Sequence, residues 1–219
     1  MVSFLRAVDE GADGVELDLR FSRDGEFVVI HDPTFARTTD GRGRVSLTPS
    51  RVMREMDAGA WFRGHQTDVR VPLLEEVFEA LPPPLLVNVE LKASRWSFRR
   101  YGTRLARTLR RRTDRDRIVV SSFDRWILSS MRGMAPELRY GWLGGDPAVA
   151  VRLGVSAIHP SARQTTPELI RAARASNLAV HTWDANEKQE LERLVRLGVD
   201  AIITDEVRRL HDLLDPDQR

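Results

Sequence analysis

Cysteine is absent from the 219 residues, which excludes disulfides and thiolate metal sites and leaves oxygen or imidazole as the only ligands for a metal. Oxygen ligands favour the hard cations calcium and magnesium. Lysine is nearly absent: among 34 basic side chains only Lys92 and Lys188 are lysines, the rest being arginine. Set against 32 acids, they leave a formal net charge of +2. That charge is too small, and aromatic residues too little interleaved with it, for a nucleic-acid surface. Arg107, Arg110, Arg111 and Arg112 read instead as a solvated helix end, where cations are favoured. No apolar run approaches the roughly 18 residues of a membrane span, and the first residues lack the pattern of a signal peptide. The expectation is a soluble, cytoplasmic protein with no membrane span.

What is present concentrates between Gly11 and Asp40. In Val15-Glu-Leu-Asp-Leu19 the two acids lie two residues apart. In a strand, Glu16 and Asp18 therefore leave one face while Val15, Leu17 and Leu19 leave the other. Like charges at that distance repel unless a cation holds them, so a divalent metal is the natural neutraliser, and a solvated strand face is the plainer alternative. The next strand, Phe27–Ile30, delivers His31 at its end, before Asp32-Pro33 stops the pairing. A histidine released there suits proton transfer near neutral pH, although it also fits a turn residue bonding the Asp32 backbone.

The length suits a single domain over residues 1–219. Residues 2–10 read as a helix closed by Gly11, and Thr48-Pro49 as a helix start. A small insert over about 41–72 carries Trp61 and Phe62 in an irregular segment, read either as a cap core or as a platform for the alcohol part of a substrate. A helix over 72–81 runs into the proline triplet at 82–84. The strand Leu85–Lys92 then places Asn88, Glu90 and Lys92 on one face. The remainder repeats short strand, loop and helix, with start signals at Asp146-Pro147, Thr166-Pro167 and Asn186 with Gln189, and glycine stops at Gly154 and Gly198. Eight strands can be counted, VELDL, FVVI, LLVNVEL, RIVVS, LRYGWL, VSAIH, LAVHTW and DAIIT. The first two are too close for an intervening helix and are expected to form a hairpin-like pair. This pattern indicates an α/β fold of the TIM (β/α)8 barrel type, one repeat short. Asp18, His31, Glu90, Lys92, Ser122, His159 and Trp183 fall near carboxyl ends of strands, where such barrels gather their chemistry. His159 and His181 are read as locally packed or hydrogen-bonded, and His65 as an insert residue able to approach the site from above.

These segments closely resemble the glycerophosphodiester phosphodiesterase family. The resemblance runs through GADGVELDLRFSRDGEFVVIHDPTFARTT, LTPSRVMREMDAGAWF, VPLLEEVF, NVELK, SSFD, HTWDAN and GVDAIITD. It implies a barrel of PLC-like phosphodiesterase architecture that uses a divalent cation, Ca2+ or Mg2+, to hydrolyse a small-molecule glycerophosphodiester to glycerol 3-phosphate and an alcohol, in lipid and glycerol metabolism. It also implies that Glu16, Asp18 and Glu90 hold the metal, His31 is catalytic, Lys92 contacts phosphate and Trp183 lines the substrate pocket. One departure stands out. The family opens with a strand ending in His-Arg-Gly and a following Pro-Glu-Asn-Thr, and this sequence starts at about the next helix. The expectation is therefore a downstream start or truncation, or else an inactive relative that binds metal or phosphodiester without turnover. Without that strand, the edges of VELDL and DAIIT are expected to stay open and to favour oligomerisation.

Overall fold

In the computed structural model, which describes residues 1–214, β1 (Gly14–Phe21) alternates residue by residue between half-buried and buried positions. Val15, Leu17, Leu19 and Phe21 are buried, while Glu16, Asp18 and Arg20 share the other face. Each fully buried Leu or Phe on that apolar face contributes about 1.5–3 kcal/mol. The helix α1 (Val2–Asp9) precedes β1. A tight turn closed by Ser22 follows it, the hydroxyl accepting the Glu26 amide at 2.7 Å. β2 (Phe27–Val29) then folds back antiparallel, with Leu19 opposite Val29 and Phe21 opposite Phe27. The hairpin-like pair expected from the short separation is what forms.

The chain divides into two compact units, one built from Met1–Arg6 and Gly14–Ile118, the other from Ala7–Asp13 and the residues from Val119 onward. In the first, α2 (Ser50–Met53) and α3 (Ala60–Arg63) follow β2. Val28, Ile30, Phe35, Val45, Met53 and Val71 form a common buried cluster there. Asp57 ties the segment together by accepting from the amides of Gly59 and Ala60 and from the Thr67 hydroxyl at 2.6 Å. The helix expected to begin at Thr48-Pro49 begins one residue later, with Pro49 at the cap. Thr48 donates its hydroxyl to the Arg44 carbonyl, and the Ser50 amide is accepted by the Asp24 carboxylate instead. α4 (Leu74–Ala80) leads to β3 (Leu86–Leu91), which lies parallel to β1 with Glu16 opposite Asn88 and Asp18 opposite Glu90. α5 (Arg95–Arg110), capped by Ser94, is followed in this unit by one 3-10 turn over Arg115–Arg117. Arg112 is not merely solvated: it pairs with Glu75 and Asp114 over the Phe78 ring.

The second unit repeats strand and helix: β4 (Ile118–Ser122), α6 (Arg125–Met134), β5 (Arg139–Trp142), α7 (Pro147–Leu153), β6 (Ala157–Ile158), α8 (Pro167–Ala175), β7 (Ala179–Thr182), α9 (Lys188–Leu197), β8 (Ala201–Ile202) and α10 (Val207–Leu214). β4 to β8 pair in sequence order, all parallel. Asp146-Pro147 and Thr166-Pro167 start α7 and α8 as their residue types dictate. Gly154 and Gly198 stop α7 and α9 at φ of 66° and 67°, a left-handed conformation open to glycine at little cost. Asn186 does not start α9. Its side-chain oxygen accepts from Thr204 and from the Asp205 amide, and that turn outcompetes the cap, leaving Glu187 at the cap position without a side-chain bond. Among the described residues no helix is long and apolar enough to cross a membrane.

Arg117 offers a test of the first unit. It is 6% exposed, donates to the carbonyls of Phe78, Leu81 and Leu85, and pairs with Asp114 at 2.8 Å. Replacing Arg117 with Met orphans those carbonyls and leaves the Asp114 carboxylate to Arg112 alone, and is expected to cost about 3 kcal/mol of stability. A urea midpoint unchanged from the native protein would show that water satisfies them equally well.

Candidate active site

The parallel register of β1 and β3 carries the acids together. Ligand oxygens of Glu16, Asp18 and Glu90 lie within 4.8 Å of one another. At an effective dielectric near 20, each such pair repels by on the order of 3–4 kcal/mol. Lys92, just past β3, answers part of this charge: its ammonium stands 2.9 Å from Glu90 and 3.3 Å from Asp18. Burial pushes the Glu90 carboxyl above its ordinary range, against the Lys92 hydrogen bond. Burial also works to lower the Lys92 pKa, but the bond to Glu90 and the charge on Asp18 leave it raised, so the ammonium persists. Lys92 and the neighbouring Arg20 guanidinium against three carboxylates still leave an excess of negative charge on an all-oxygen donor set, which suits a hard divalent ion. Asn88 adds a further oxygen on this face, its Oδ1 buried and without a hydrogen-bond partner among the described residues. These residues fit a cation such as calcium or magnesium.

His31 is exposed at the end of β2 and lines the same open cleft, of about 250 Å³, as Glu16 and Asp18. Phe4, Ile30, Trp61, Val71 and Pro72 supply its apolar wall. His31 bonds the Asp32 side chain rather than its backbone, Nδ1 lying 2.6 Å from Oδ1. Arg37 grips the same carboxylate at 2.6 and 2.9 Å. The Arg37 and His31 bonds hold the Asp32 carboxyl well below the usual range. An ionised carboxylate only accepts, so Nδ1 carries the proton and Nε2 is the basic nitrogen. Asp32 and Arg37 were missed as site residues in the sequence. The adjacency of Asp32 to His31 was visible, but the return of Arg37 across the loop was not.

The sequence model of the Glycerophosphoryl diester phosphodiesterase family matches residues 1–209. The chain belongs to that family. This phosphodiesterase is 33% identical over 220 residues to the glycerophosphodiester phosphodiesterase of Caldanaerobacter subterraneus subsp. tengcongensis, covering 98% of this chain and 90% of the relative. The Bacillus altitudinis glycerophosphodiester phosphodiesterase is 29% identical, with 94% and 87% covered. Among solved structures, an Oleispira antarctica phosphodiesterase in complex with the product sn-glycerol-3-phosphate superposes with a TM-score of 0.88 at 24% identity, covering 97% of this chain and 89% of that one. Glycerophosphodiester phosphodiesterase from Agrobacterium tumefaciens gives 0.82 at 27% identity, covering 94% and 89%. The likeness shows the expected α/β, TIM-type fold, and membership makes the protein a phosphoric diester hydrolase.

Each remaining candidate of this phosphodiesterase has surroundings within its own unit. Trp183 follows β7 in the second unit, its indole donating to the His159 carbonyl at 2.7 Å and standing edge-on to Phe123. His65 is exposed in the first unit. His159 is fully buried and stacks 4.7 Å from His181, while neither of its ring nitrogens has a hydrogen-bond partner among the described residues. Burial, aided by His181, pushes His159 down to about 3; burial lowers His181 as well, against the charge of Asp200.

His159 therefore stays neutral in the folded chain while the unfolded chain protonates at its ordinary 6.5. As pH falls below that value the unfolded state binds the extra proton, and stability drops by about 1.4 kcal/mol per unit until the folded value is reached. Urea midpoints measured between about pH 6.5 and 4.5 are expected to fall less steeply in His159→Met than in the native protein. Parallel slopes would contradict this assignment.

Proposed function

We propose that this chain hydrolyses glycerophosphodiesters to glycerol 3-phosphate and an alcohol, within lipid and glycerol metabolism, as one catalytic domain with a small insert over about 41–72. Glu16, Asp18 and Glu90 would hold a divalent cation, Ca2+ or Mg2+. The observation that carries the reading is the convergence of these three carboxylates and Lys92 on one face, beside a cleft that His31 also lines. Family membership and the relatives' names agree with it.

When bound, the cation supplies Lewis-acid polarisation of phosphoryl oxygens. Lys92 adds a positive charge at the same face, stabilising the charge that develops on those oxygens. With Nδ1–H committed to Asp32, His31 takes a proton at Nε2 from the attacking water as that oxygen bonds phosphorus and the phosphorus–alcohol ester bond breaks, and the proton is passed on to the departing alcohol oxygen. Asp32 stabilises the imidazolium between those transfers, and Arg37 keeps the carboxylate ionised and in place. Trp183 contributes a substrate contact, as the family resemblance assigns. The apolar wall formed by Phe4, Trp61 and Val71 gives the alcohol portion a surface that water does not compete for strongly.

Glycerol 3-phosphate release from glycerophosphocholine is the direct assay. The native chain is expected to turn over with calcium or magnesium, to stop when the ion is chelated, and to lose about 1000-fold or more in Glu16→Ala. Absence of product with either ion would retire the hydrolytic reading in favour of binding without turnover. A finer test concerns the histidine. Asp32→Asn is expected to lower kcat by about 100-fold with KM within about threefold, since the amide no longer enforces the Nδ1–H tautomer. A kcat within twofold of native would remove Asp32 from the mechanism.

A further inference from the structure

Arg20 stands on β1 two residues beyond Asp18 and on the same face. Its side chain leaves that strand in two directions. Nε donates to the His31 carbonyl at 2.9 Å, and Nη1 donates to the Lys92 carbonyl at 2.6 Å. Those two carbonyls occupy a particular place in the sheet. On one side of β1, the Ile30 amide bonds the Asp18 carbonyl at 2.9 Å, and on the other the Lys92 amide bonds the Leu19 carbonyl at 3.1 Å. His31 follows the first of these rungs directly, and Lys92 supplies the second. The backbone ladder thus runs out where the two residues that act on the substrate emerge.

We infer that Arg20 is a positioning residue: its guanidinium bonds the backbone carbonyls of His31 and Lys92 and holds both in fixed register with the carboxylates of β1. The inference rests on the proposed hydrolysis and assigns a residue through which its two acting side chains are placed. A planar fork with donors at fixed angles spans two carbonyls on opposite sides of a strand, whereas an ammonium reaches one at a time. Burial works against the guanidinium charge, and two charge-assisted bonds with the charges of Asp18, Asp32 and Glu90 around it recover part of that cost. Side-chain bonds at the end of a ladder also suit the chemistry, because His31 lies one residue past its last bond to β1 and Lys92 at its own, and misplacement by about 1 Å costs on the order of 100-fold in rate.

Arg20→Met and Arg20→Lys test the assignment, with two readouts. The first is kcat for glycerophosphocholine per folded molecule. The methionine variant is expected to lose about 100-fold, and the lysine variant to recover part of the loss. The second is hydrogen–deuterium exchange read by segment. Exchange is expected to quicken over residues 27–38 and 88–95 in Arg20→Met, with the strands beyond residue 118 unchanged. A kcat within twofold of native, or a rise in exchange spread evenly over the chain, would overturn the inference, the latter marking Arg20 as a general stabiliser. Should the native chain release no glycerol 3-phosphate, the hydrolytic reading fails. The exchange pattern still decides the clamp: localised quickening supports it, and an even or absent response refutes it. If Arg20→Met does not fold, Arg20→Lys carries both readouts with the same criteria.

Discussion

Mutual repulsion among Glu16, Asp18 and Glu90 is the constraint on which the rest of the first unit depends. Nothing local favours three carboxylates within 4.8 Å. They are brought together by the pairing of β1 with β3, whose opposite faces bury Val15, Leu17, Leu19, Val87, Val89 and Leu91. Each acid therefore sits where apolar burial on the reverse of the same strand holds it, and its energetic cost is met by neighbours that never touch the site. Lys92 reduces the repulsion without cancelling it. The residual negative charge makes this face selective for cations before any ligand geometry is considered.

A different economy governs the histidine. His31 and Arg37 are exposed, so neither is fixed by packing; their order comes from Asp32, which receives both. A carboxylate gripped by a two-toothed guanidinium is stiff enough to orient an imidazole that solvent would otherwise leave free to turn. The buried histidine of the second unit shows the reverse case. His159 is immobilised by its surroundings, makes no side-chain hydrogen bond among the described residues, and bonds through its backbone, the amide to the Trp142 carbonyl and the carbonyl to the Trp183 indole. Exposure with a partner suits proton transfer, and burial without one suits a fixed platform.

Much of this was legible in the sequence because it depends on period two. Once VELDL and VNVELK are read as strands, the faces of Glu16, Asp18, Asn88, Glu90 and Lys92 follow from alternation alone. The eight strands, the hairpin-like pairing of the first two, and the glycine stops at Gly154 and Gly198 followed from equally local rules. What could not be read depends on where a long side chain goes after it leaves its strand or loop. Arg37 returns to Asp32, Arg20 reaches two carbonyls, and Asn186 serves a turn near Thr204 instead of a helix cap. Arginine has four rotatable bonds and five donors, and residue spacing does not say which acceptor wins.

Register is the reason that the carboxylate cluster cannot relax away from its own repulsion. A slip of one residue between β1 and β3 would turn Glu16 and Asp18 toward the apolar side and bring Leu17 to the cleft, at a cost of several buried side chains of about 1.5–3 kcal/mol each. A slip of two would keep the faces but break the contact of Asp18 with Glu90, and with it the shared hold on Lys92. It would also move the Lys92 carbonyl about 7 Å along the strand, out of reach of Arg20. The arginine thus closes the second escape as apolar burial closes the first. The acids are confined by two unrelated forces, one beneath the sheet and one at its end, and a site that must stay charged and open needs both.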